Sequence, residues 1–156
     1  MVYTFREYHK SKVLTGHLRM GGQNPAGERI DVTSQYFTRG NKPWIGVMGE
    51  YHFVRDHREN WYRELCKMRA GGISVVSTYL FWIYHEEMEG EFLFTGDRDI
   101  RRFVEEAQRA GLDVVIRIGP WVHGECRNGG FPDWLLNKKF LLRDNHSDYM
   151  AKVRIW

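Results

Sequence analysis

Three apolar runs punctuate the chain, and the segments between them carry helical spacing. Lys42 to Phe53 (K-P-W-I-G-V-M-G-E-Y-H-F) is opened by Pro43 and reads as a first core strand. Ile73 to Trp82 (I-S-V-V-S-T-Y-L-F-W) is β-branched, aromatic and free of charge, the pattern of a strand buried on both faces. Leu112 to Ile118 (L-D-V-V-I-R-I) is the third run. Between the first two, Trp61, Leu65 and Met68 recur on one helical face, with Asn60 as a cap and Gly71-Gly72 as the stop. Between the second and third, Ile100, Phe103, Val104 and Ala107 keep a three-to-four spacing, opened by Thr95 or Asp97 and ended by Gly111. Strand, helix, strand, helix, strand predicts βαβ units and a parallel sheet, an α/β fold. Residues 1–41 form a β lead-in. In it, Tyr3 to Tyr8 and Arg29 to Phe37 are strand-like, and Gly21-Gly22, Asn24-Pro25 and Gly40-Asn41 mark turns. Beyond Trp134 the pattern weakens, with Asp148 to Trp156 read as the start of another helix.

In parallel α/β folds, sites form at the carboxyl ends of the strands. Polar clusters follow each run: Glu50, His52 and Arg55; then His85 and Glu86 in an acidic loop from Ile83 to Gly96; then His123, Glu125, Arg127 and Asn128. The expectation is that all three converge. Arg117 to Leu135 (R-I-G-P-W-V-H-G-E-C-R-N-G-G-F-P-D-W-L) surrounds Glu125 with Gly124, Trp121 and other glycines and aromatics. A carboxyl in a tight, water-poor turn has its charged form disfavoured and can serve as a general acid, unless Arg117 or Arg127 opposes this. A catalytic Glu125 and an Arg-paired structural one both fit the residues alone. For Glu86, a solvated loop acid and a sugar-hydroxyl acceptor are both open, as are core packing and ring stacking for Tyr79 and Trp82.

Composition narrows the classes. The 156 residues are 42% hydrophobic, enough for a core, and 23 basic against 20 acidic residues are scattered without a basic arm, so nucleic acid is excluded as a partner. Six Trp, eight Tyr and nine Phe suit a carbohydrate cleft as well as a core. Cys66 and Cys126 have no metal or redox spacing and are read as free thiols. His52, His85 and His123 each follow a strand, but no H-E-x-x-H pair accompanies them, and no phosphate-binding glycine motif opens a helix. No metal and no cofactor are expected. Met1 to Lys10 lacks an apolar stretch of signal length, which gives the expectation of a cytoplasmic protein without a membrane partner.

Four ordered segments resemble glycoside hydrolase family 35. They are Gly49-Glu-Tyr-His-Phe-Val-Arg55, Trp61 to Gly72, Thr78-Tyr-Leu-Phe-Trp-Ile-Tyr-His-Glu86, and Arg117 to Leu135 with its Gly-Gly-x-Pro-x-Trp-Leu ending. The resemblance covers about residues 40 to 145. It implies a retaining β-galactosidase on a (β/α)8 TIM barrel, of which residues 42–156 would be an incomplete part with the first three or four βα units. It places Glu125 at the acid/base position and Glu86 among residues that bind galactose hydroxyls, with His85, Tyr79, Phe53, Gly124 and Trp121 as further substrate-binding candidates. The substrate implied is a terminal β-galactoside, or another β-linked sugar in a related barrel. A non-catalytic sugar-binding fragment is the alternative outside the enzyme class. Retention needs a second carboxylate, the nucleophile, about 5 to 5.5 Å from the first. In the family it lies later in the barrel, so the 156 residues are expected to be inactive alone. Phe53 stands where the family often has a sugar-contacting Tyr. Gly124 and Cys126 replace Ala and Trp, and Glu87 replaces Pro. The acid/base of such barrels commonly ends a fourth strand, whereas three are legible before Glu125.

Overall fold

The computed structural model describes Tyr3, Thr4 and residues 11–156. The chain divides into two compact units, Met1–Gly46 and Val47–Trp156. The expected strand Tyr3 to Tyr8 lies largely outside the described residues.

The first unit is an antiparallel meander in the order β1-β2-β3-β4, formed by β1 (Gly21–Gln23), β2 (Arg29–Val32), β3 (Phe37–Arg39) and β4 (Lys42–Trp44). Two expectations change here. Arg29 to Phe37 is two strands, because Thr33 accepts the chain back on itself: its Oγ1 bonds the Tyr36 carbonyl and receives the Gln35 and Tyr36 amides. Gly21-Gly22 is inside β1 rather than at a turn, while the Asn24 and Gly40-Asn41 turns form where expected.

The run from Lys42 to Phe53 is likewise not one strand. Lys42–Trp44 pairs with β3, and β5 (Met48–Glu50) opens the parallel sheet of the second unit. A 3-10 turn, Phe53–Arg55, follows β5. An apolar run has no way to show, by composition, that its two halves hydrogen-bond to different sheets.

In the second unit β5, β6 (Val75–Tyr79) and β7 (Asp113–Arg117) form a parallel sheet in that order. Register sets Gly49, Val76 and Val114 side by side. β6 is central and every residue in it is buried, as its uncharged composition anticipates. Helix α1 (Arg58–Ala70) links β5 to β6; a 3-10 turn at Gly96–Arg98 and helix α3 (Ile100–Arg109) lead to β7. Between them, α2 (Trp82–His85) starts three residues after β6 ends. The third loop continues into α4 (Asp133–Leu136) and α5 (Ser147–Ile155).

The core joins one face of this sheet to both long helices: Trp61 and Leu65 of α1, Phe103 and Ala107 of α3, Val76 of β6, and Phe53. Trp61 and Phe103 meet Phe53 edge-on and stacked, at 5.6 and 5.2 Å between ring centres, and Trp61 Nε1 donates to the Phe53 carbonyl at 3.1 Å. Burying Phe53, Trp61 and Phe103 in one cluster contributes on the order of 2–3 kcal/mol each. Both helices exit alike, with Gly72 and Gly111 at positive φ and the following amides closing onto the last turn. The helix starts differ from the sequence expectation. His57, not Asn60, precedes α1, and Asn60 instead donates its side chain to Asp56. Asp99, not Asp97 or Thr95, caps α3 by accepting the Arg102 amide at 2.9 Å. Among the described residues no helix is long and apolar enough to cross a membrane.

Candidate active site

The turns after β5 and β7 meet in a cavity of about 480 Å³, lined by Glu50, Tyr51, His52, Arg55, Asp56, His123, Gly124 and Glu125. Two of the three polar clusters therefore come together at the carboxyl end of the sheet. The third does not. Directly after β6 the chain coils into α2, which carries His85 and Glu86 inward, so both are buried at 0% and 4% exposure.

Glu50 is the charged anchor of the cavity. It accepts from His52 Nε2 at 2.5 Å and pairs with Arg117, and these partners, His52 foremost, hold its carboxyl below the usual carboxylate range. Arg117 also donates to the Tyr79 hydroxyl at 3.1 Å and lies with its guanidinium 3.7 Å from the Tyr79 ring centre. Arg127 pairs with Asp133 at 2.7 Å. Both arginines expected to compete for Glu125 are thus engaged elsewhere, and among the described residues no hydrogen bond or ion pair reaches the Glu125 carboxylate.

Asp56 closes the other wall. Its carboxylate receives Asn60 Nδ2, Tyr51 Oη and the His57 amide, at 2.8, 2.7 and 2.8 Å, and the Asn60 and Tyr51 bonds hold it below its usual range. Tyr51 is pushed well above the usual phenol range by burial and by that carboxylate. Its hydroxyl is therefore a fixed hydrogen-bond donor.

Glu125 sits in a turn closed by backbone bonds from the Val122 amide to the Gly129 carbonyl and from the Gly129 amide to the Cys126 carbonyl, at 2.8 and 3.1 Å. Its φ is +39°, a left-handed conformation that non-glycine residues adopt at a cost of about 1–2 kcal/mol. The water-poor setting expected from the surrounding glycines and tryptophans is not formed, since Glu125 is exposed. Gly124 before it is buried, and a Cβ there would lie 3.0 Å from His52 Cε1 and 3.4 Å from the Tyr79 ring. The backbone approaches those rings because position 124 has no side chain.

The remaining candidates are distributed around and behind the cavity. Tyr79 is 7% exposed and packs with Phe81 and Val122 behind it. Phe53 is fully buried among Trp61, Phe103 and His85 and presents no surface to a ligand. Trp121 is at the surface, edge-on to His123 and beneath the Arg143 guanidinium, outside the cavity lining. Glu86 accepts Trp82 Nε1 at 2.5 Å and the Gly90 amide at 2.7 Å, so both carboxylate oxygens face inward. His85 donates from Nδ1 to the Leu93 carbonyl at 2.9 Å and stacks on Phe94, and burial pushes its pKa down.

Of the three histidines singled out from sequence, His52 and His123 line the cavity, while His85 is buried and is not part of its lining. Among the described residues, the metal-type donors that do come together are His57 and Glu59, exposed at the start of α1, and half-buried Asp97 of the 3-10 turn Gly96–Arg98, with His57 and Asp97 bonded to each other at 3.1 Å. Cys66 and Cys126 are free, and burial raises the Cys126 thiol. Sequence reasoning noticed Arg55 only as a polar neighbour; its Nη2 reaches the carbonyls of Gly124 and Glu125. Nothing local could have disclosed a contact across so much chain.

A family model for "Glycosyl hydrolases family 35" matches residues 36–156. The chain is similar to a β-galactosidase of Bos taurus, 36% identical over 82% of this chain and 20% of that protein. It is also similar to a β-galactosidase of Homo sapiens, 36% identical over 81% of this chain and 19% of that protein. An exo-β-D-glucosaminidase of Pyrococcus horikoshii is 43% identical over 81% of this chain and 16% of that protein. The chain thus spans about a fifth of the length of the β-galactosidases it matches.

Proposed function

The chain belongs to glycosyl hydrolases family 35, and from that premise we propose that its cavity is part of a sugar site for terminal β-galactosides, with Glu125 as the carboxylate that meets the sugar. The observation that carries this reading is the convergence, at the carboxyl end of a parallel sheet, of polar side chains held by bonds within the protein with one carboxylate that has no internal partner. Glu50 and Asp56 are committed to neighbours, so Glu125 is the acidic group in that cavity left to bind a ligand. The β5-β6-β7 sheet with its two linking helices suits the opening part of a (β/α)8 barrel. The names of the relatives support galactose, and the glucosaminidase makes a β-glucosaminide the first competitor.

The family resemblance gives Glu125 the acid/base role, in which it protonates the glycosidic oxygen and then activates water with retention of configuration. A second reading makes it a hydrogen-bond acceptor for sugar hydroxyls. Its exposure and its place after the third parallel strand favour that second reading. Retaining hydrolysis also needs a second free carboxylate about 5 to 5.5 Å away. The cavity supplies none, so the 156 residues are proposed to bind galactose without turning it over.

Calorimetric titration with galactose and with glucosamine, beside an aryl β-galactoside assay, tests these points. Galactose binding without turnover is expected. Preference for glucosamine would move the substrate class, and robust hydrolysis by this chain would overturn the inactivity. In an active longer homologue, the variant equivalent to Glu125→Gln separates the two roles. Loss of an acid slows a poor leaving group far more than an activated one, whereas loss of a hydroxyl acceptor slows both equally.

A further inference from the structure

We propose that Arg55 is a positioning residue for Glu125, holding the left-handed turn that presents its carboxylate to the cavity. The inference rests on the reading of Glu125 as the group that meets the sugar.

Successive carbonyls of an extended chain point to opposite sides. Those of Gly124 and Glu125 instead reach a single guanidinium nitrogen, Arg55 Nη2, at 2.5 and 3.2 Å. The φ of +39° at Glu125 permits this, because it swings the second carbonyl to the side of the first. Such a conformation persists only where its surroundings over-determine it. The close approach of Gly124 to His52 and Tyr79 supplies one restraint. The charged donor on two consecutive carbonyls supplies the other.

Arg55 is itself well fixed. It belongs to the 3-10 turn anchored by buried Phe53, its guanidinium carbon lies 5.7 Å from the Phe81 ring centre, and the next residue, Asp56, is tied to α1. The end of β5 thereby sets the conformation of a turn after β7. A lysine ammonium also has protons for two carbonyls but lacks the planar guanidinium that lies against the Phe81 ring, so it would hold them less firmly.

Arg55→Ala and Arg55→Lys, each with and without Glu125→Gln, test this by hydrogen exchange of the 122–129 turn and by galactose titration. With Arg55→Ala, exchange in the turn should rise, and galactose affinity should fall, by about tenfold or more. Exchange in β6 should be unchanged, and Arg55→Lys should lie between. Millimolar guanidinium should restore part of the affinity of Arg55→Ala. In the Glu125→Gln background, removing Arg55 should cost no further affinity. Unchanged exchange in the turn overturns the proposal, as does an equal affinity loss with and without Glu125, which would make Arg55 a direct sugar contact. If the unaltered chain takes no galactose, the sugar-site reading falls, while the exchange of the turn still decides what Arg55 holds.

Discussion

Two glutamates, each in the segment following one of two neighbouring parallel strands, have opposite fates. Glu86 is buried with both carboxylate oxygens accepting from Trp82 and Gly90, and its backbone carbonyl receives Trp134 Nε1 at 2.9 Å. Glu125 is exposed, its backbone is held by Arg55, and its carboxylate is left without an internal partner. The two strands differ in how the chain leaves them. After β6, α2 winds at once and turns its last residues toward Trp134 and the aromatic cluster around Trp82. After β7, glycines and left-handed residues keep the chain in an open turn. A carboxylate enclosed by donors organises its surroundings, and one held only through its backbone remains available to a ligand.

The largest effect that would sharpen this contrast is on stability. Glu86→Ala leaves the buried Trp82 indole without its acceptor and frees the Gly90 amide at the surface, and is expected to cost about 1–3 kcal/mol in chemical denaturation. A change below about 0.5 kcal/mol, the usual range for an exposed surface residue, would break the comparison by making Glu86 behave as Glu125 should.

The second effect is a pH slope. His85 beside Glu86 is held neutral by burial, so its folded pKa is depressed and the folded state takes up fewer protons than the unfolded one. Its contribution is fully present above the ordinary histidine pKa of about 6.5. It is lost progressively as pH falls from there through the folded value. Melting temperature against pH should show that loss in the unaltered chain and a flatter profile in His85→Gln.

The smallest effect has the opposite sign. Glu125→Gly relieves a left-handed residue and is expected to leave stability unchanged or raise it by up to about 1 kcal/mol, while galactose binding is lost. Destabilisation beyond about 1 kcal/mol would show that the Glu125 side chain, like that of Glu86, supports the fold.

The helices and two of the three core strands were legible because their signals are local and periodic. Trp61, Leu65 and Met68, then Ile100, Phe103 and Ala107, repeat with the helix, and the uncharged run from Ile73 marks a central strand. The split of Lys42 to Phe53 was not legible, because hydrogen-bond partners decide it and apolar composition does not record them. The cavity was half legible. The positions of polar clusters after strands could be read, but whether a loop opens outward or coils inward depends on what it packs against, and so Phe53, His85 and Glu86 could not be distinguished from Glu125 in advance.

By itself, the sequence determined an α/β chain, three strands alternating with two glycine-stopped helices, and the family, through four ordered motifs. Those are properties of neighbouring residues and their spacing. Only the tertiary structure decided which acidic residue is free, that Arg117 serves Glu50 and Tyr79, and that Arg55 reaches across to the turn holding Glu125. Hydrogen bonds between residues so far apart in the chain exist only once the sheet has set its strands in register.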